Sequence, residues 1–134
     1  MNAPQALAPL ASPVPARLAA LRTTMAARGW QAVLLPSSDP HLSEYLPARW
    51  EGRAHFSGFT GSSGTLLVAA DRAALFTDSR YWTQAEAELA GTGVELVKLD
   101  GAPVPAYAAW LGALPVSDGP ATLAADGAVM GLAQ

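Results

Sequence analysis

The sequence predicts an α/β fold from three features. An amphipathic repeat near the start runs into a wholly apolar segment, Ala32-Val33-Leu34-Leu35. Two further apolar runs, 65–69 and 73–77, flank a short polar connection. Beyond them helix-like and strand-like segments alternate as far as residue 125. A chain of 134 residues suits one domain, since chains of this size hide roughly 68–70% of their unfolded surface.

Taken in order, residues 1–15 carry prolines at 4, 9, 13 and 15 and no basic cluster, so they read as a flexible lead-in rather than a signal peptide. Pro15 or Ala16 opens a helix with Leu18, Leu21 and Met25 on one face and Arg17, Arg22 and Arg28 turned mostly outward. Arg28 suits the negative end of that helix, and Gly29 can stop it. The run 32–35 is too short for a helix and is followed by Pro36, the signature of a strand covered on both faces. Asp39-Pro40 then reads as a helix start, with Leu42, Tyr45 and Leu46 inward until Pro47. Asp39 is either the cap alone or a cap that also faces a ligand, because the carboxyl ends of strands in open α/β sheets are where ligands bind.

The glycines of Gly58-Phe59-Thr60-Gly61-Ser62-Ser63-Gly64 make a tight link into Thr65–Ala69, which forms a hairpin with Ala73–Thr77 across Ala70-Asp71-Arg72. Thr77 or Asp78 can cap the next helix, which carries Tyr81, Ala85 and Leu89 at four-residue steps and ends at Gly91. Val94–Leu99 is a partly alternating strand. Pro103 and Pro105 open a helix with Val104, Tyr107, Ala108 and Leu111 inward, and Ala121–Ala125 makes a last strand. The apolar run 128–133 then looks like the beginning of an element, one that can supply a self-association contact.

Composition excludes several classes. The chain is 51% hydrophobic and 14% charged, with a net charge of −3, which fits a globular protein with a lightly charged surface. Its eight basic residues are scattered, so it has no electrostatic footprint for nucleic acid. The absence of cysteine removes disulfides, thiol nucleophiles and Cys-ligated zinc, and fits a reducing compartment such as the cytoplasm. No apolar run reaches the roughly 18 residues a membrane span needs.

Residues 36–84 hold both histidines, most of the aromatics and the densest glycine cluster, so polar recognition is concentrated there. His41 and Glu44 share a helical face but lack the third and fourth ligands of a metal shell. Ser62-Ser63 do not sit in a G-x-S-x-G elbow, and the glycine cluster is followed by a strand rather than a helix, which argues against a phosphate cradle. Arg80 is the residue out of place. A cation at the positive end of a helix costs from a few tenths to about 1 kcal/mol. Either it reaches a carboxylate or carbonyl of a ligand, or it pairs on the surface with Asp78 or Glu86.

Three motifs occur in a telling order: Pro36-Ser37-Ser38-Asp39-Pro40-His41 with Ser43-Glu44-Tyr45, then Phe56–Thr65, then Thr77-Asp78-Ser79-Arg80-Tyr81-Trp82 with Gln84-Ala85. Together they resemble the amino-terminal domain of Xaa-Pro aminopeptidase (aminopeptidase P), in the creatinase and prolidase superfamily, over about residues 16–130. The resemblance implies a mixed β-sheet with helices on both faces. It also implies a parent hydrolase, a cytosolic homodimeric metallopeptidase that removes the first residue of peptides with proline in second position. Such enzymes use two divalent metals, usually manganese, held by two Asp, one His and two Glu of a carboxy-terminal catalytic domain. None of those ligands can be placed in this chain, so no cofactor is expected on it.

On this reading residues 16–134 are a creatinase N-terminal-type domain truncated at its carboxyl end, inactive alone. Arg80 corresponds to the family arginine that contacts bound peptide, orienting substrate and limiting peptide length. Asp39 and His41 line the same cleft mouth, Tyr45 and Trp82 pack nearby, and the glycine turn shapes the wall. The alternatives are a stand-alone peptide- or partner-binding module without hydrolase activity, or a structural subunit contact.

Overall fold

The computed structural model describes residues 11–38, 40, 41, 43, 45–115 and 119–130. At its centre lies a five-stranded sheet of β1 (Ala32–Leu35), β2 (Thr65–Ala69), β3 (Ala73–Asp78), β4 (Glu95–Leu99) and β5 (Leu123–Ala125), in spatial order β4-β3-β2-β1-β5. β2 runs antiparallel to both β1 and β3, whereas β4 is parallel to β3 and β5 is parallel to β1, so the sheet is mixed. The β2–β3 hairpin pairs Thr65 with Phe76 and Val68 with Ala73, and the Ala69 amide donates to the Arg72 carbonyl to close the turn.

Helices cover both faces. Side chains alternate along each strand, so β2 sends Leu66 and Val68 to one side and Leu67 and Ala69 to the other. The first side packs against α1 (Val14–Arg28) and α3 (Trp82–Glu88) through Val14, Leu18, Met25, Ala85 and Leu89. The second packs against α4 (Pro103–Gly112), where Phe76 meets Trp110 and Tyr107 edge-on. Each fully buried Leu or Phe contributes about 1.5–3 kcal/mol, so the two apolar layers clamp the central strands from both sides.

α1 begins at Val14, slightly earlier than the prolines suggest, and ends at Gly29 in the left-handed conformation (φ 68°). Two of its arginines are not simply solvated: Arg22 Nε donates to the Ala69 carbonyl at 2.8 Å, and Arg17 Nη1 to the His55 carbonyl at 3.1 Å.

Other expectations need correction. No helix opens at Pro40 among the described residues. Pro40 and His41 form a turn, and Tyr45 is 85% exposed rather than packed inward. Pro47 would limit such a helix to about two turns, too short to hold without packing. Instead a 3₁₀ turn at Ala48–Trp50 leads into α2 (Gly52–Ser57), which the hydrophobic pattern did not announce because its inward face carries Arg53 and Ser57. On α4 the inward face is rotated: Trp110 is buried, while Val104 is 53% exposed and Ala108 is exposed. The wide indole fills the space over Phe76 and turns the helix toward it. Val129, in the stretch read as a self-association contact, is buried, and its carbonyl accepts a hydrogen bond from Ser38 Oγ.

Candidate functional site

The pairing registers set which loops meet. Leu35 at the end of β1 lies opposite Leu66, Thr65 opposite Phe76, Asp78 opposite Leu99, and Leu34 opposite Ala125. The chain therefore leaves β1, β3, β4 and β5 and enters β2 at one end of the sheet. Ser37, Ser38, Pro40 and His41, the glycine loop 58–64 and Ser79-Arg80 share that rim. Only β2 separates β1 from β3, so their ends lie about 10 Å apart.

The glycine loop is held from every side. Ser37 Oγ donates to the Gly64 carbonyl at 2.5 Å, and Thr77 Oγ1 to the Ser63 carbonyl at 2.6 Å. Thr60 gives both its amide and its hydroxyl to the Glu88 carboxylate, at 2.9 and 2.6 Å, and Ser62 Oγ pairs with Tyr81 OH at 2.5 Å. Burial pushes the Glu88 pKa up, but the bonds from Thr60 and Gln84 outweigh it and hold the carboxyl below its usual range. From below, the buried Arg53 donates through Nη2 to the Gly61 carbonyl, its guanidinium carbon 5.0 Å from the centre of the Phe59 ring. Gly61 is required by close approach, because a Cβ there would fall 2.2 Å from Phe59 Cζ.

Asp78 leaves β3 in extended conformation and caps the following 3₁₀ turn, Ser79–Tyr81, by accepting from the Arg80 amide. The Arg80 side chain folds back onto the same carboxylate, Nε to Oδ1 at 2.8 Å and Nη2 to Oδ2 at 2.9 Å. Those side-chain bonds bring the Asp78 carboxyl down to about 2 and raise Arg80 above its ordinary value. Of the two surface partners open to Arg80, Glu86 instead meets Lys98 at 2.7 Å. The guanidinium also lies over the Tyr81 ring, 5.3 Å from its centre, and the side chain remains 69% exposed. His41 sits exposed in the turn after β1, and Asp39 lies outside the described residues. Trp82 packs beside this rim, its indole N–H donating to the Thr77 carbonyl at 2.9 Å. A cavity of about 250 Å³ opens between the glycine loop and the start of α4, lined by Ser63, Gly64, Thr77, Asp78, Gly101 and Tyr107 among others.

The family model for the creatinase/prolidase N-terminal domain matches residues 17–134. The chain belongs to that family. It is 52% identical over 73 residues to Xaa-Pro aminopeptidase 2 of Rattus norvegicus, an alignment spanning 54% of this chain and 11% of the rat protein. Among solved structures, an X-prolyl aminopeptidase from Caenorhabditis elegans, described as a cytosolic enzyme with a di-nuclear active site, superposes with a TM-score of 0.61 at 33% identity. That match covers 75% of this chain and 16% of the nematode enzyme. The crystallised creatinase/prolidase-like N-terminal domain of a Corynebacterium diphtheriae protein superposes with a TM-score of 0.65 at 23% identity, covering 92% of this chain and 83% of that one, and so shares the fold. The matched segments thus span less than a fifth of the length of the rat and nematode enzymes.

Among the described residues no three His, Cys, Asp or Glu side chains gather closely enough to hold a metal ion. Among the same residues no helix is long and apolar enough to cross a membrane. The rim offers hydrogen-bond donors and a charged pair beside a braced loop, a surface suited to binding and orienting a ligand. Arg53 and Glu88, which brace it, went unnoticed in the sequence. The signal for Arg53 was an arginine six residues ahead of Phe59, within reach of the glycine cluster once residues 52–57 are helical.

Proposed function

We propose that this chain is the non-catalytic N-terminal domain of a metal-dependent Xaa-Pro aminopeptidase, and that its rim forms part of the cleft receiving the peptide. The observation that carries the reading is the family match over 17–134 joined to relatives that are Xaa-Pro aminopeptidases. The domain, read from the sequence as 16–134, also takes in Val14 and Pro15, because α1 begins at Val14 and that side chain is buried. Arg80 supplies N–H donors to the bound peptide, with Asp39 and His41 beside it at the cleft mouth. A planar guanidinium with several fixed donors is suited to peptide carbonyls.

On this reading the two divalent ions, manganese, belong to a carboxy-terminal catalytic domain, a placement supported by the di-nuclear active site named for the nematode enzyme, and no step of bond cleavage is assigned to this chain. The complete protein acts in the cytoplasm as a homodimer, an address supported by the cytosolic nematode enzyme. In the complete protein, Arg80→Ala raises KM or lowers kcat/KM for Xaa-Pro peptides while the bound metal, measured by atomic emission, stays the same. Unaltered kinetics on peptides of several lengths would refute the role of Arg80.

A further inference from the structure

We propose that Asp78 is a specificity-determining positioning residue, which cancels the charge of Arg80 so that the peptide is read through its backbone carbonyls and not through its terminal carboxylate. The inference rests on Arg80 being a peptide contact, and it adds what kind of group that contact selects.

A lone exposed arginine attracts a carboxylate more strongly than a neutral carbonyl, because charge-assisted hydrogen bonds are the stronger ones. Arg80 is not alone. The Asp78 carboxylate accepts three N–H groups from the same residue, the amide at 3.1 Å, Nε at 2.8 Å and Nη2 at 2.9 Å. The pair is separated by one residue and anchored by strand pairing, since Asp78 is in register with Leu99 of β4. Asp78 uses two of the five guanidinium N–H donors and leaves three. The Tyr81 ring lies along one face of the group, and the side chain is 69% exposed, so the remaining donors are presented at the rim.

The unit offered to a peptide is then a neutral ion pair with spare donors. A backbone carbonyl accepts from it without regard to net charge. A carboxylate gains from Arg80 what it loses to Asp78, so a peptide that ends at this point has no advantage over one that continues. Any limit Arg80 sets on length does not come through the terminal charge.

The test is the kinetics of the complete protein on Ala-Pro-Ala and its extensions by one and two alanines, each as free acid and as C-terminal amide. Dividing kcat/KM for the acid by that for the amide isolates the terminal charge. That ratio rises about fivefold from wild type to Asp78→Asn at the length whose end reaches Arg80, the size of one exposed ion pair. Asp78→Glu keeps the wild-type ratio. Asp78→Ser, which retains a capping oxygen without the charge, behaves as Asp78→Asn does and serves if the asparagine variant does not fold. A ratio unchanged in both uncharged variants at every length overturns the proposal.

Arg80→Ala separates the two levels. Unchanged kcat/KM on every peptide in that variant removes the contact itself. Loss on acid and amide alike, with the ratio unmoved by Asp78→Asn, removes only the role of Asp78. A complete protein that cleaves none of these peptides overturns both.

Discussion

The guanidinium of Arg53 is stacked on the ring of Phe59, its central carbon 5.0 Å from the ring centre, with both residues buried. Its Nη2 donates to the Gly61 carbonyl, while Nε and Nη1 are buried without a hydrogen-bond partner among the described residues. Burial lowers its pKa, though Glu51 and Glu88 act against that shift. A buried cation of this kind braces its loop at a desolvation cost that an apolar side chain of similar length does not carry. Arg53→Met is therefore expected to stay within about 1 kcal/mol of the parent. Arg53→Ala, which also opens a cavity under Phe59, is expected to lose about 3 kcal/mol. Urea denaturation of the three proteins gives the order.

Gly61 tests the same brace from the other side. An added methyl meets Phe59 Cζ at 2.2 Å and Tyr81 Cδ1 at 2.8 Å, and Phe59 is fully buried with nowhere to retreat. Gly61→Ala should cost about 2 kcal/mol or more. At Gly101 a methyl meets nothing within 4 Å, and Gly101→Ala should change stability by less than about 0.5 kcal/mol. The two denaturation midpoints, compared directly, separate crowding from a general effect of removing glycine.

How much of this was legible in the sequence follows from contrast. The strands announce themselves because Ala32–Leu35, Thr65–Ala69 and Ala73–Asp78 are apolar runs bounded by proline, glycine or polar turns. α2 gave no such signal, since the residues it turns inward, Arg53 and Ser57, are polar and earn their burial through bonds to the loop. α4 failed for the opposite reason: Pro-Val-Pro-Ala-Tyr-Ala-Ala-Trp-Leu is apolar nearly all round, so a 3.6-residue period has no polar face to set its phase. At the site, the misplaced charge of Arg80 was visible, but its partner was not. Asp78 and Glu86 were equal candidates by spacing, and the choice was made by β4, which brings Lys98 to Glu86.

Trp110 anchors α4 by more than area. Its indole N–H donates to Glu95 Oε1, the Arg72 guanidinium lies 4.7 Å above its ring, and Arg72 Nη2 meets the same carboxylate oxygen at 2.6 Å. Burial pushes the Glu95 pKa up, but the Trp110 and Arg72 bonds prevail and hold it below its usual range. A depressed carboxyl stabilises the fold above its unfolded pKa and stops doing so as pH falls through the folded one. Trp110→Ala is expected to cost about 4 kcal/mol at pH 7. Trp110→Phe keeps most of the packing but removes the donor, so the Glu95 carboxyl rises and acid sets in with a smaller loss of stability between pH 7 and pH 3. Urea midpoints across that range, with the Glu95 carboxyl followed by NMR, check both statements.

Asp78 gives the most direct reading of the rim. Hydrogen bonds from the Arg80 side chain, working against slight desolvation and helped by the Arg80 amide, bring its carboxyl from 3.8 to about 2. The folded value lies below the unfolded one, so the pair favours folding at every pH above about 4 and ceases to as pH falls toward 2. Both groups are exposed, and solvent screens the pair, so the overall stability curve should barely register it. The site-resolved titration should register it clearly. Carbon-detected NMR of the Asp78 side chain is expected to show a midpoint near 2 in the parent. In Arg80→Ala that midpoint moves up toward the ordinary aspartate value of about 3.9. In Arg80→Lys it recovers only in part, because an ammonium cannot give two parallel bonds to one carboxylate. A midpoint already ordinary in the parent would mean that the two side chains do not hold each other in solution.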